Sequence, residues 1–277
     1  MTSVQLKSLA RLKRILSPGE IVFGPETLAR YAGDKWFAAH QPDAVARPRN
    51  TRSVAAILRF ANRHRIPVTA RGAGHGYVGG CVPLRGGIVL SLERMKRILE
   101  INPRDFIVVT QPGVITATLQ AEVEKQNLFY PPDPASRGES FIGGNIVTNA
   151  GGPRCLKYGV TRDYVLGLEV VLADGTIVRL GSRTHKNKTG FDLHRLFVGS
   201  EGLLGVVTEA TLKLLPLPLI ARTSPLVSPP CALLSARCTR FWTRAFFPPR
   251  WNSPIPLRSP PLTNAPRANA CVAAAPT

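Results

Sequence analysis

The sequence predicts an α+β fold in which two α/β subdomains are followed by a tail of different character. Residues 44–70 read as a strand, a helix and a second strand with short connections, which is the pattern of a βαβ unit. An Asp-Gly turn at residues 174–175 joins two apolar runs and predicts an antiparallel hairpin. We therefore expect an N-terminal helical segment at 1–39, a folded domain at 40–218 and a low-complexity tail at 219–277.

Composition excludes several classes of protein. The 277 residues are 44% hydrophobic, which suits a packed globular domain. The net charge of +19 taken alone would suggest a nucleic-acid partner, but all 17 acidic residues lie at or before Glu209, among scattered lysines and arginines. We therefore expect no nucleic-acid partner.

The five cysteines lack the spacing of metal ligands, which predicts no metal site and a reducing compartment.

The first element is an amphipathic helix between Val4 and Leu16, where apolar residues recur every three or four positions. Residues 17–19, Ser-Pro-Gly, end it, and the segment through Trp36 is expected to be loop and short helix without a chemical role. We expect no signal peptide, because this segment has no uninterrupted apolar region and no cleavage site, and we expect no transmembrane stretch. We expect a cytoplasmic protein, either free or peripheral to the inner membrane.

The βαβ unit comes next. Residues 44–48 form its first strand, Thr51 or Ser53 offers an N-cap, and the helix that follows has an apolar stripe that begins at Val54. Residues 66–70 form the second strand and lead directly into a loop at 71–80 with five glycines in ten residues. Bare backbone of this kind can point several N–H groups at one anion, and Arg71 would add a charge at the mouth. A pyrophosphate is the expected ligand, and a plain glycine-rich hairpin is the alternative.

Three strands are then predicted at 88–92, 98–101 and 106–110, and a helix at 114–126 with a cap at Thr116. The proline-rich residues 131–136 predict a rigid extended segment. Residues 142–152 carry two glycine pairs, with Asn145 and Asn149 expected on one helical face. A ligand-contacting backbone and a tightly packed helix are both consistent with that pattern.

The remaining folded stretch contains a turn at residues 157–159, the hairpin around residues 174–175, an exposed polar loop at 184–190 and a final strand at 206–214. His185 lies in the polar loop and has no nearby Cys or carboxylate in the sequence, so we expect no metal role for it. The glycines between residues 199 and 205 predict another close approach of backbone to a ligand.

In this order, the motifs resemble the FAD-linked oxidases of the p-cresol methylhydroxylase and vanillyl-alcohol oxidase superfamily, most closely the glycolate oxidase D-subunit and D-lactate dehydrogenase branch. The resemblance extends to about Pro218 and implies a p-cresol-methylhydroxylase-type FAD-binding domain. It implies cofactor contacts at Arg71, Gly72, Ala73, Gly74, His75, Gly76, Gly79, Pro132, Asp133, Ser136, Gly143, Gly144, Asn145, Asn149, Gly151, Gly152, Tyr158, Gly159, Glu201, Gly202, Gly205, Val206 and Val207.

The resemblance also implies a function. Relatives oxidise a small D-2-hydroxy acid such as glycolate or D-lactate to the 2-oxo acid by hydride transfer to flavin N5, and an iron–sulfur or other subunit accepts the electrons. The base that takes the hydroxyl proton belongs to a C-terminal half that this sequence does not match, so the catalytic residues are unknown. The alternatives are FAD binding without turnover, an enolpyruvyl-UDP-sugar type of reductase, and a basic nucleic-acid-binding protein.

His75 raises a separate question about how FAD is held. In the berberine-bridge branch a histidine at the corresponding place is bonded to the flavin methyl group, whereas the glycolate oxidase branch often has a smaller residue. We expect non-covalent FAD, with a covalent link at His75 as the alternative.

The tail differs from every preceding element. Residues 223–277 contain no Asp, Glu, Lys or Gly and are dominated by Pro, Arg, Ala, Ser and Leu. A reading-frame shift near residue 222 is our preferred interpretation, and a native disordered basic tail is the alternative.

Overall fold

A computed structural model describes Leu9 and residues 11–218 of the chain, and these belong to one compact unit. The helices are α1 (Pro25–Arg30), α2 (Thr51–His64), α3 (Thr116–Glu124), α4 (Ile142–Val147), α5 (Cys155–Tyr158) and α6 (Leu193–Phe197). The strands are β1 (Ile21–Val22), β2 (Ala44–Ala46), β3 (Val68–Arg71), β4 (Ile88–Ser91), β5 (Ile98–Asn102), β6 (Ile107–Thr110), β7 (Leu128–Phe129), β8 (Val165–Val171), β9 (Ile177–Gly181), β10 (Val206–Lys213) and β11 (Leu215–Pro216).

Only part of the predicted N-terminal helix lies within the described residues. Leu9 and residues 11–12 are helical, and Leu9, Leu12 and Leu16 are buried, as the apolar stripe predicts. Ile15 is exposed, so it does not belong to the packed face. The predicted start at Val4 and the whole tail from residue 219 lie outside the described residues.

The first sheet contains the predicted βαβ unit. Its strand order is β1-β2-β4-β3, with β2, β4 and β3 parallel and β1 antiparallel at the edge. The apolar face of α2 packs on this sheet in one hydrophobic core. The predicted N-cap is wrong, because the side chain of Asn50 accepts the backbone N–H of Ser53 and caps α2.

The second sheet is antiparallel throughout, in the order β5-β6-β10-β8-β9. The predicted hairpin at residues 174–175 is confirmed by the pairing of β8 with β9. The inward side chains of β6, β8 and β10 pack with α3, α4 and α6 in a second hydrophobic core. The prediction of an α+β fold with two α/β subdomains is therefore confirmed.

The half-buried carboxylate of Glu169 connects the two subdomains. Thr51, at the start of α2, donates its hydroxyl to Glu169 Oε1 at 2.7 Å, and Thr208 of β10 donates to the same oxygen at 3.0 Å. Arg179 of β9 donates to the other carboxylate oxygen at 2.9 Å. Glu169 therefore holds helix α2 of one subdomain against the central strands of the other.

Three local predictions need correction. Thr116 does not cap α3, because its side chain is buried and bonds to residue 140 instead. Asn149 lies beyond the end of α4 in the left-handed region, at φ 48°, so it does not share a helical face with Asn145. Lys157 and Tyr158 belong to the short helix α5, and the turn comes at the residue that follows them.

Candidate functional site

The largest of the described cavities, about 480 Å³, lies where the predicted glycine-rich and proline-rich stretches meet. Ligand sites in proteins are commonly about 300–1,000 Å³. The fold brings the loop after β3, the loop before α4, α4 itself and Glu201 to its walls. Of the predicted cofactor contacts, its lining includes Gly72, Ala73, Gly74, His75, Gly76, Ser136, Gly144, Asn145 and Glu201.

Bare backbone forms the boundary between this cavity and a smaller one of about 40 Å³. A Cβ on Gly72 would lie 3.6 Å from the Cα of Gly144, and both glycines line both cavities. A Cβ on Gly144 would meet nothing within 4 Å, so it would project into open space. The smaller cavity is also lined by the predicted residues Arg71, Gly143, Glu201, Gly202, Gly205, Val206 and Val207.

The loop after β3 presents a row of unused backbone donors. None of the N–H groups of residues 73–77 donates a hydrogen bond to any other described residue. Gly74 takes a positive φ of 75°, which turns the loop back on itself. Consecutive free N–H groups on a cavity wall carry partial positive charge and suit an anion.

The guanidinium of Arg71 packs against other residues of the protein and stabilises this loop. The expectation that it lies free at the cavity mouth is not met. Arg71 Nη1 donates to the carbonyl oxygen of Gly33 at 2.6 Å and to the sulfur of Cys81 at 3.3 Å. The guanidinium also occupies the space where a Cβ on Gly74 would lie. The loop is therefore held against the segment between α1 and β2, for which we expected no chemical role.

His75 joins the glycine loop to the loop that precedes α4. Its Nε2 contacts a carboxylate oxygen of Glu139, while its Nδ1 is buried without a hydrogen-bond partner among the described residues. Nδ1 is therefore a buried polar atom that the described part of the chain does not satisfy.

Glu201 occupies a strained position between the two cavities. Its backbone lies in the left-handed region at φ 54°, and its N–H donates to the carbonyl oxygen of Val147 at 2.8 Å. Burial raises the pKa of its carboxyl above the ordinary value. Among the described residues no donor pairs with this carboxylate, so a ligand group that donates a hydrogen bond would relieve the cost of its burial.

Several predicted contacts do not line either cavity and have other packing partners. A Cβ on Gly79 would meet the ring of Trp36, and one on Gly159 would overlap the Asp163 carboxylate. Asp133 forms ion pairs with Arg137 at 3.1 Å and with Arg154 at 3.3 Å, and the Arg154 guanidinium lies over the ring of Phe129 in β7. The predicted residues away from both cavities are Gly79, Pro132, Asp133, Asn149, Gly151, Gly152, Tyr158 and Gly159.

Sequence reasoning missed other residues of the cavity wall. Asp34 and Cys81 line it through contacts that no local pattern indicates. Ser140 and Phe141 also line it, and they lie within residues 131–152, the stretch that the family resemblance implies for the cofactor. Burial raises the pKa of the Cys81 thiol, so the group is held in its neutral form.

Comparison with known proteins identifies the domain. A family model described as FAD binding domain matches residues 42–181, which is half of the chain. The chain belongs to this FAD-binding domain family. Its cofactor is FAD. The matched stretch includes the whole glycine loop and α4 but ends before β10, the strand at the centre of the second sheet.

Curated relatives of the FAD-binding domain are longer proteins. The chain is 49% identical to the glycolate oxidase subunit GlcD of Bacillus subtilis over 74% of its own length and 42% of the relative's. It is 42% identical to a D-lactate dehydrogenase of Anaerostipes hadrus, covering 73% and 43% of the two chains. A 4-ethylphenol oxidase structure from Gulosibacter chungangensis matches with a TM-score of 0.67 at 26% identity, covering 79% and 44%. The chain therefore spans less than half the length of these relatives.

The cavity fits the cofactor of the family. FAD carries a pyrophosphate, for which the free N–H groups of residues 73–77 are suitable donors. Gly72 and Gly144 carry no Cβ, so the backbone at these positions allows the flat rings of FAD to lie close to it. No cluster of potential metal ligands and no helix able to cross a bilayer occurs among residues 9 and 11–218.

Proposed function

We propose that this chain holds FAD in the cavity of about 480 Å³, with the pyrophosphate at the N–H groups of residues 73–77. The observation that carries the proposal is the row of five successive backbone donors that have no acceptor among the residues the structure describes. The predicted contacts that line the two cavities would bind the remaining parts of the cofactor. The predicted contacts that line neither cavity would instead hold the loops in shape. The FAD-binding domain would extend from about residue 40 to about residue 218.

We further propose that this domain serves the oxidation of a small D-2-hydroxy acid to its 2-oxo acid. Support comes from the relatives, which are named for glycolate and D-lactate. The chemistry that FAD supplies when bound is acceptance of a hydride at N5 from the Cα of the substrate. The residues described here bind and orient the cofactor and exclude water from the cavity. An electron-accepting partner subunit is part of the same proposal.

Anaerobic titration of the FAD-loaded chain tests the proposed oxidation. We expect the absorbance bands of oxidised flavin to bleach on addition of D-lactate or glycolate and to remain unchanged with L-lactate, because a site that removes the Cα hydrogen distinguishes the two enantiomers. Stopped-flow or diode-array spectra would follow the bands. Stable flavin bands without bleaching by any D-2-hydroxy acid would contradict the oxidation and favour the alternative, FAD binding without turnover.

The attachment of FAD is tested separately. We expect acid precipitation of the FAD-loaded chain to leave a colourless pellet and all flavin in solution, because His75 Nε2 is engaged by Glu139 and Nδ1 is enclosed. Absorbance of the pellet and the mass of the peptide that contains His75 are the measurements. A yellow pellet that becomes colourless in the His75→Ala variant would contradict non-covalent binding.

A further inference from the structure

Behind the cavity wall lies a short chain of buried polar groups. Asn145 is only 4% exposed, and its Nδ2 lies 2.6 Å from Thr116 Oγ1. Thr116 is fully buried, and its Oγ1 lies 3.1 Å from the carbonyl oxygen of Ser140 and 3.2 Å from the Ser140 hydroxyl. Asn145 and Ser140 line the cavity, whereas Thr116 does not reach it.

The partners indicate the direction of these hydrogen bonds. The single hydroxyl proton of Thr116 is directed to the carbonyl oxygen of Ser140, which can only accept, and the Ser140 hydroxyl can donate to Thr116 Oγ1 or accept from it. Thr116 Oγ1 then has lone pairs to offer, and Asn145 must present its NH2 group to them. In the opposite amide orientation the Thr116 proton would turn to Asn145, and two oxygen lone pairs would face each other across 3.1 Å.

The carboxamide oxygen of Asn145 is consequently directed away from Thr116. It has no donor among the described residues, and it is not one of the enclosed polar atoms that lack a partner. Because Asn145 lines the cavity, this oxygen is open to a ligand there. It can accept a hydrogen bond from an N–H or O–H group but would repel a phosphate oxygen.

We propose that Thr116 is a positioning residue, which locks Asn145 as a hydrogen-bond acceptor and makes this part of the cavity select a donor group of the cofactor. The inference rests on the proposed function, because the cofactor is FAD held in this cavity. The groups on FAD that can donate are its sugar and ribityl hydroxyls, the adenine amino group and the ring N3–H. The phosphates are thereby directed to the loop at residues 73–77.

Two matched variants test the proposal. We expect Thr116→Val, which keeps the shape and removes the hydroxyl, to weaken FAD binding by about tenfold or more, since Asn145 loses its fixed orientation. Thr116→Ser keeps the hydroxyl, and we expect its dissociation constant to remain within about twofold of the wild-type value. Flavin fluorescence titrations with FAD, FMN and ADP would measure these constants and show which half of the cofactor loses affinity. Equal losses in both variants, or none in Thr116→Val, would overturn the proposal.

A second measurement does not depend on cofactor binding. In the cofactor-free wild-type chain we expect nuclear Overhauser effects between the side-chain amide protons of Asn145 and the methyl group of Thr116. Absence of these effects, together with rapid solvent exchange of the amide protons, would show the opposite orientation and overturn the inference. If FAD failed to bind while the effects were present, the proposed function would fail and the positioning role of Thr116 toward Asn145 would stand.

Discussion

Replacing Gly144 by leucine is expected to abolish FAD binding while the chain remains folded. The Cβ of a side chain here meets no atom of another described residue within 4 Å, so we expect the side chain to project into the proposed cofactor cavity. We expect the affinity for FAD to fall by at least ~100-fold, about 2.7 kcal/mol. The stability of the cofactor-free chain should be unchanged or greater by up to about 1 kcal/mol, because glycine is a poor residue inside a helix. Flavin titration and thermal unfolding measure the two effects.

Gly138 provides the matched control for that experiment. It also has open space around its Cβ position, but it lies in an exposed loop and does not line the cavity. Gly138→Leu is expected to bind FAD as the wild type does. Tight FAD binding by Gly144→Leu would place the cofactor somewhere other than this cavity.

Replacing Gly152 by alanine is expected to destabilise the fold itself, even without the cofactor. A Cβ at this position would overlap the backbone carbonyl oxygen of Asp133, and backbone cannot turn aside as a side chain can. The connection after α4 would have to move away from the proline-rich segment. We expect the free energy of unfolding of the cofactor-free chain to fall by about 3 kcal/mol.

Urea unfolding of the cofactor-free chain measures this loss, with Gly138→Ala as the control because its Cβ meets no neighbour. If Gly152→Ala unfolded within about 0.5 kcal/mol of the wild type, the packing explanation would be wrong. If the same variant also bound FAD more weakly, the better explanation would be a direct contact between Gly152 and the cofactor, as the family resemblance implies.

Local patterns predicted most of the fold because they depend on neighbouring residues. The βαβ unit around α2 follows from the change of hydrophobic periodicity, and the hairpin of β8 and β9 follows from its Asp-Gly turn. The order of the strands within each sheet could not be predicted from these local patterns. β4 lies between β2 and β3, and β10 lies between β6 and β8, and these pairings join residues that are far apart in the chain.

The candidate site shows the same division. Glycine spacing indicated the loop at 71–80 and helix α4, because missing side chains are visible in a sequence. Thr116 and Asp34 were missed because their roles depend on tertiary neighbours, namely Asn145 and Cys81. Asn149 was misplaced because α4 ends at Val147, whereas the sequence pattern alone allowed the helix to continue.

A structure of the chain with bound FAD would show directly where the cofactor lies. We expect one FAD per chain in the cavity of about 480 Å³, against Gly72 and Gly144, with phosphate oxygens accepting from the N–H groups of residues 73–77. FAD bound elsewhere, for example in the separate cavity of about 240 Å³ lined by Leu203 and Leu204, with that loop still empty of phosphate, would contradict it.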